Sequence, residues 1–435
     1  MKLQQRNLGR IITFLIAGIG STTAVASPNV QGGGSSLVAP TVGAIGNSAT
    51  EIGLFGTSEG SFTYYSVDSA AGQKAFLNNQ PTYFGSTVTG TVHFANSDAA
   101  LSPVQITSYK VGLGATNGPL IQIPYLITPI TVPVVNGPAV TSTTTPQTTP
   151  GQAHSIALND NDLCGVFSGK LTNWNQVTNP ETDSAYTLNA PITVVYRSDS
   201  SGTTELLTRH LVAVCPTAST AAGVTFVDSM DFTASFPAGF PSGSHFVAAT
   251  SSNLVRTALI SFASAGLAAV AYLGPNWTNT LLAPSSTVVT SASALQLPVA
   301  SLRNAANGTY YAPTYMNATM ALGTSVLPVG KLSASNQANW VPNVGNPTSG
   351  YPVSGTSQII LSQCYADPNI KTAVHDFLNA HFANASFASI VHGNGFDTVP
   401  SNYQTTISND FLSNASGYNL DIGNTSVCTG TVTGR

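Results

Sequence analysis

Short apolar runs rich in β-branched and aromatic residues alternate along this chain with amphipathic stretches, and polar Ser/Thr/Gly/Asp turns separate them. "GSFTYYSVDSAAGQKAFLN" predicts a strand ending near Val67, a tight turn, and a helix through Lys74 and Phe76. "GTVHFANSDAALS" repeats the grammar, with a strand over Thr91 to Ala95 and a polar turn at Asn96-Ser97-Asp98. "IQIPYLITPITVPVV" (121–135) is β-branched, proline-punctuated and extended, whereas "TSTTTPQTTPGQ" (141–152) predicts a flexible polar insertion. "DLCGVFSGKLTNWNQV" predicts a helix and a turn. "APITVVYRSD" predicts a buried strand, with a helix beginning near Ser201. "SNLVRTALISFASAGLAAVAYLG" predicts a helix and a following strand, and "SGTSQIILSQCY" (354–365) another apolar strand. "NIKTAVHDFLNAHF" is an amphipathic helix with Ile370, Val374, Phe377 and Leu378 on one face. Strands alternating with helices mean layered α/β architecture.

Composition narrows the class. Only 7% of the 435 residues are charged, the net charge is −4, and 42% are hydrophobic. A sizeable core is affordable, and nucleic acid is excluded as a partner, because phosphate backbones demand dense basic patches. Lys2, Arg6 and Arg10 precede the apolar run "IITFLIAGIG", and "AVA-S" offers cleavage after Ala26. Residues 1–26 are therefore expected to be a cleaved signal peptide, too short in its apolar part to span a bilayer. No cysteine follows the cleavage point, so a lipid anchor is not expected. The mature chain should be periplasmic or secreted.

Cys164, Cys215, Cys364 and Cys428 are widely spaced and form no C-x-x-C pair, which argues against zinc and redox motifs. Three pairings are possible. Cys164–Cys215 and Cys364–Cys428 are preferred, since each closes a loop inside one expected domain.

The stretch "YRSDSSGTT" (196–204) has the chemistry of an anion site. A strand ends, the chain turns, and a helix starts with unpartnered N–H groups and partial positive charge. Gly202 lets a ligand approach the backbone, Ser201 and Thr203 add hydroxyls, and Arg197 adds a planar fork. Asp199 makes sense there as the group that orients Arg197. An ordinary helix cap explains Ser and Asp equally well. Gly34-Ser35-Ser36-Leu37, Asp68-Ser69-Ala70-Ala71-Gly72 and Ser97-Asp98 also fall at strand-to-helix turns. Such turns converge at the carboxyl ends of strands in open α/β sheets.

Together "RSDSSGTTELLTRHL", "GGGSSLVAP", "YSVDSAAGQKAFL", "ANSDAALS" and "FSGKLTNWNQV" resemble the periplasmic phosphate-binding proteins of ABC transporters, closest to the DING subgroup. At the subgroup's Asp-Ile-Asn position this chain reads Asn29-Val30-Gln31. The resemblance implies a two-lobed type II (Venus flytrap) fold with inorganic phosphate clamped between lobes, an inner-membrane ABC permease as partner, a monomer, and no cofactor. Carried over by position, the ligand residues would be Ser36, Leu37 through its N–H, Ser69, Asp98, Arg197, Ser201, Gly202 and Thr203, with Asp199 bracing Arg197. Asp98 would accept the proton that phosphate keeps near neutral pH and sulfate lacks; a helix cap is its plainer reading. The expected lobes are 27–128 with 357–435, and 129–356, joined by extended crossovers near 124–135 and 350–362.

The rival reading is a secreted phosphatase. Val67-Asp68-Ser69-Ala70-Ala71 echoes the nucleophile turn of alkaline phosphatases, but the seven histidines form no H-x-H or H-E-x-x-H group, and no G-x-S-x-G elbow occurs. "NDND" (159–162) lacks the glycine and distal glutamate of a calcium loop and reads as a solvated turn.

Overall fold

The computed structural model describes residues 27–278, 296–323, 326–342 and 344–435; the expected signal peptide lies outside them. Two main sheets carry the architecture. The first has six strands in the order Asp397–Thr398, Leu120–Pro129, Ser354–Ser362, Phe94–Ser97, Asn29–Gly34 and Ser61–Ser66. The last three are mutually parallel, and Ser354–Ser362 runs antiparallel to both of its neighbours. The second sheet orders His245–Ala249, Thr193–Arg197, Ala269–Val270 and Val134–Val135, the first three parallel. This is a two-lobed α/β fold. The paired strands Leu120–Pro129 and Ser354–Ser362 are buried along their whole length; the first is nearly continuously apolar, as a strand covered on both faces tends to be, whereas the second buries Ser, Thr and Gln side chains beside Ile359, Ile360 and Leu361.

Most of the predicted elements are found, with instructive shifts. The third parallel strand begins at Phe94 and runs to Ser97 rather than spanning 91–95, because its ladder with the first strand opens at Gly32↔Phe94. The polar residues Asn96 and Ser97 are thus sheet residues, and the turn starts at Asp98. "NDND" is no solvated turn. Asn159 caps the Asp160–Ser168 helix in a capping box with Asp162, which is 2% exposed. Desolvation pushes the Asp162 carboxyl up to about 7 despite two N–H donors. The 141–152 segment is tied down rather than free. Thr145, Thr148 and Thr149 are buried, Thr145 Oγ1 donates to the Ser155 carbonyl at 2.6 Å, and the Val299 N–H donates to Thr149 Oγ1 at 3.1 Å. Threonine-rich sequence reads as loop, but here its hydroxyls pair with backbone.

The Tyr315–Leu322 helix and the Gln337–Trp340 turn, which the sequence division grouped with the second lobe, pack on the first sheet. Ala318 and Leu322 cluster with Ile127, and the Trp340 ring meets Phe411 edge-on at 5.2 Å. Disulfides join Cys164 to Cys215 and Cys364 to Cys428. Among the described residues no helix is long and apolar enough to cross a membrane.

Candidate functional site

The parallel strands of both sheets direct their carboxyl ends to one place. Gly34 ends the first strand at φ 136°, a left-handed value, and a Cβ there would lie 2.1 Å from the Asn96 carbonyl oxygen, so only glycine fits. The chain then turns through Ser35, Ser36 and Leu37. Ser35 Oγ donates to Asp98 Oδ2 at 2.7 Å, and Ser357 Oγ donates to Asp98 Oδ1 at 2.8 Å. Asp98 is only 3% exposed. Burial raises its carboxyl above the usual range, while Ser35, Ser357, the nearby Arg197 guanidinium and Thr203 pull it back. The Asp98 N–H donates to Ser69 Oγ at 3.2 Å. Ser69 opens the Ser69–Leu77 helix, which Asp68 caps by accepting from the Ala71 N–H at 2.7 Å.

The second sheet supplies the opposite wall. Arg197 ends its central strand and is 2% exposed. Its Nε donates to Asp199 Oδ1 at 2.6 Å, its Nη2 donates to Asp199 Oδ2, and its Nη1 donates to Ser252 Oγ at 2.9 Å. The fork is held on two edges, which fixes its plane. Ser201 is the N-cap residue of the Gly202–Val214 helix, with no side-chain capping bond, and Gly202 and Thr203 form the first turn. A Cβ on Gly202 would lie 2.7 Å from Asp98 Cβ and from Ser69 Oγ. The glycine is what allows this helix terminus to approach the other wall. The Ala70 N–H donates to the Ser200 carbonyl at 3.3 Å, a direct bond between the walls.

Of the sequence-predicted residues, Ser36, Ser69, Asp98, Arg197, Ser201, Gly202 and Thr203 are gathered around this cleft, with Asp199 against Arg197. The Leu37 N–H donates to Ser35 Oγ at 3.1 Å, and Ser36 Oγ pairs with Ser252 Oγ at 3.0 Å. Sequence reasoning missed several neighbours. Ser252 opens the Ser252–Ser264 helix after a strand of the second sheet, the same grammar as the other turns, so that signal was present. Ser357 lies inside an apolar strand and reaches Asp98 because Gln358 pairs with Ser97; only register reveals it. Tyr272 accepts from the Arg197 N–H at 3.0 Å and pairs with Thr204 Oγ1 at 2.8 Å. Two further side chains latch the first turn: Asn276 Nδ2 donates to the Leu37 carbonyl at 2.9 Å, and Trp277 Nε1 donates to the Ser36 carbonyl at 3.1 Å.

Chemically, the cleft combines hydroxyls, helix-terminal N–H groups and one guanidinium with a buried, acceptor-only carboxylate. That set suits a small oxyanion carrying a proton. Among the described residues no three His, Cys, Asp or Glu side chains gather where they could hold a metal.

A cleft between two α/β lobes, lined by the carboxyl ends of strands from both, defines the class of bilobal ligand-binding proteins. A family model described as "PBP superfamily domain" matches residues 20–380, and the chain belongs to that family. It is 34% identical over 370 residues to a protein named alkaline phosphatase L from Pseudomonas aeruginosa strain PAO1, covering 84% of this chain and 86% of that one. It is 31% identical over 377 residues to a phosphate-binding protein from an unknown prokaryotic organism, covering 84% and 92%. Among solved structures it matches a high-affinity periplasmic phosphate-binding protein (PfluDING) bound with phosphate at pH 8.5. The identity is 33%, the TM-score 0.73, and the coverage 94% of this chain and 99% of that one.

Proposed function

We propose that the protein is an exported, high-affinity binding protein for inorganic phosphate that hands its ligand to an inner-membrane ABC permease. The lobes would be 27–128 with 357–435, and 129–356, with the Tyr315–Leu322 helix and the Gln337–Trp340 turn riding on the first. Ser36, Ser69, Ser201 and Thr203 would supply hydroxyls, and Leu37 and Gly202 would supply N–H groups. Arg197, braced by Asp199, would supply the one positive charge. The observation that carries the reading is Asp98: a buried carboxylate, each oxygen accepting from one serine (Ser35 and Ser357), beside a helix N-terminus and an arginine. Such a group repels a fully ionised oxyanion and accepts from one that retains a proton, so phosphate is preferred over sulfate. Charge-assisted hydrogen bonds contribute about 1.5–3 kcal/mol each, so roughly five or six exceed the ~8 kcal/mol of micromolar binding after ordering costs. Calorimetric titration of the anion-stripped protein with phosphate and with sulfate tests this. One-to-one phosphate binding with sulfate at least a hundredfold weaker is expected, and equal affinities would refute it.

A second reading is supported by the alkaline phosphatase L relative: weak phosphomonoesterase activity at the same cleft, with Ser69, at a helix start, as the candidate nucleophile. Turnover of p-nitrophenyl phosphate, measured with and without chelator beside stoichiometric phosphate binding, separates the two. Sustained turnover abolished by Ser69→Ala would favour the enzyme.

A further inference from the structure

Away from the cleft, the fold leaves a second cavity of about 1080 Å³, at the upper end of small-molecule sites. One wall is the Pro103–Val111 helix and the chain following it, and the facing wall is the 331–340 stretch with the C-terminal segment. Its floor is packed core (Tyr109, Leu120, Trp340, Phe411), and its accessible apolar lining is Ile106, Leu332, Leu420, Val427 and Val432. None of the residues assigned to phosphate lines it, so the two sites are separate.

Charge in this cavity is one-sided. Among the described residues its only charged lining residues are Lys110 and Lys331, two of the six lysines in a chain that is net negative, and no carboxylate lines it. Neither lysine has an ion-pair partner among the described residues. The lysines stand on facing walls, and each is followed by a strongly exposed apolar residue: Val111 at 78% and Leu332 at 89%. Val329 on the same stretch is 82% exposed. An apolar hollow with an apolar lip is costly to leave in water, and monomeric proteins keep such patches where something binds. Lysines with no acid nearby select the sign of that ligand's polar end, and their stems lie along apolar surface while the ammonium stays wet.

We propose that this cavity binds a soluble single-chain anionic amphiphile, the alkyl chain lying against Ile106, Leu332 and Leu420 and the anionic head between Lys110 and Lys331. The site takes the monomeric amphiphile from solution, not lipid within a bilayer. The test is isothermal titration of the full mature protein with sodium dodecanoate and with dodecylammonium chloride, both below micelle formation. Saturable one-to-one binding of dodecanoate is expected, at least tenfold tighter than dodecylammonium. The double charge reversal Lys110→Glu/Lys331→Glu should weaken dodecanoate at least tenfold, and Ala115→Trp, which fills the mouth from an exposed position, should do the same. Phosphate titrations of these variants should match wild type, which keeps this test distinct from the phosphate reading and certifies folding. Equal affinity for the two amphiphiles, charge reversal without effect, or no saturable binding would overturn the proposal. So would binding to phosphatidylglycerol vesicles by a protein that does not take up free dodecanoate.

Discussion

Replacing Asp98 by Asn changes one oxygen to an amide nitrogen with almost no change of shape, and its consequences follow from the hydrogen bonds around it. In the native site Ser35 Oγ and Ser357 Oγ donate to the two carboxylate oxygens at 2.7 and 2.8 Å. Asparagine accepts through only one oxygen. Its NH₂ must therefore face one serine, which then turns its own hydroxyl away, or face the ligand. In either arrangement the cleft loses its charged acceptor, and the ligand's P–OH donates to a neutral oxygen or confronts N–H. A hydrogen bond to a charged group contributes about 1.5–3 kcal/mol, so phosphate affinity should fall roughly tenfold to a hundredfold. Sulfate should move the other way. The native carboxylate opposes it acceptor to acceptor in a site only 3% exposed, and the amide removes that repulsion or supplies a donor. The ratio of phosphate to sulfate affinity should therefore collapse by more than the loss in phosphate affinity alone. Paired calorimetric titrations of Asp98→Asn and wild type at fixed ionic strength read both numbers, and a melting curve checks that the near-isosteric variant remains folded. An unchanged phosphate-to-sulfate ratio would show that Asp98 does not read the ligand's proton.

Other expectations are as concrete. Arg197→Ala should weaken phosphate by tenfold or more in the same titration while the protein stays folded, because it removes the cleft's guanidinium. Trp277→Phe keeps most of the ring but deletes the N–H that grips the Ser36 carbonyl. Phosphate release by stopped flow should quicken about fivefold, in line with one neutral hydrogen bond of about 1 kcal/mol. Cys364→Ser with Cys428→Ser opens a loop of 64-residue separation and should cost about 2–4 kcal/mol in urea unfolding under oxidising conditions, with phosphate binding retained at low denaturant. Burial lowers His93 to about 4, and its Nδ1 accepts from the Gln31 N–H, which only the neutral ring can do. Unfolded histidine titrates near 6.5, so the folded state loses stability as pH falls from about 6.5 to about 4, by about 3 kcal/mol in total. His93→Asn keeps an acceptor and cannot titrate, so it should flatten that arm. The comparison must be variant against wild type. Asp162 and Glu205, both pushed up to about 7, are protonated in the folded state below that pH and tilt the same window oppositely.

How much of this was legible in the chain follows from what each residue answers to. Turns at the carboxyl ends of parallel strands are local events, written in four or five consecutive residues. Gly34 through Leu37, Asp68-Ser69, Asp98 and Arg197 through Thr203 were therefore readable one turn at a time. Alternation of strands and helices gave the layers, and the locality of loops gave the disulfide pairing. What stayed hidden depends on register and on distant packing. Ser357 meets Asp98 only because two antiparallel strands pair at Gln358↔Ser97. Trp277 and Asn276 grip a turn some 240 residues earlier through side-chain N–H groups that no periodicity announces. The buried threonines near 145–149 failed as a reading for the opposite reason: hydroxyl-rich sequence is ambiguous between solvated loop and backbone-pinned segment, and only the partner decides.

The walls of the cleft meet through groups that carry almost no net charge, and this bears on how it can open. Ala70 to Ser200, Trp277 to Ser36 and Asn276 to Leu37 are neutral hydrogen bonds, each of about 1 kcal/mol in net terms. The Gly202 contact with Ser69 and Asp98 is steric fit. These neutral bonds, with the Ser36 to Ser252 hydroxyl pair, align donors from both sides when the lobes are together. The strong interactions lie mostly within each wall: Arg197 is bound to Asp199, and Asp98 to Ser35 and Ser357, with Thr203 and the Arg197 guanidinium acting on Asp98 from across the cleft. A protonated oxyanion that bridges Arg197 and Asp98 would add a charge-assisted link across the cleft to these contacts. On this arrangement closure is coupled to the ligand, because only a bound oxyanion links the guanidinium of one wall to the carboxylate of the other.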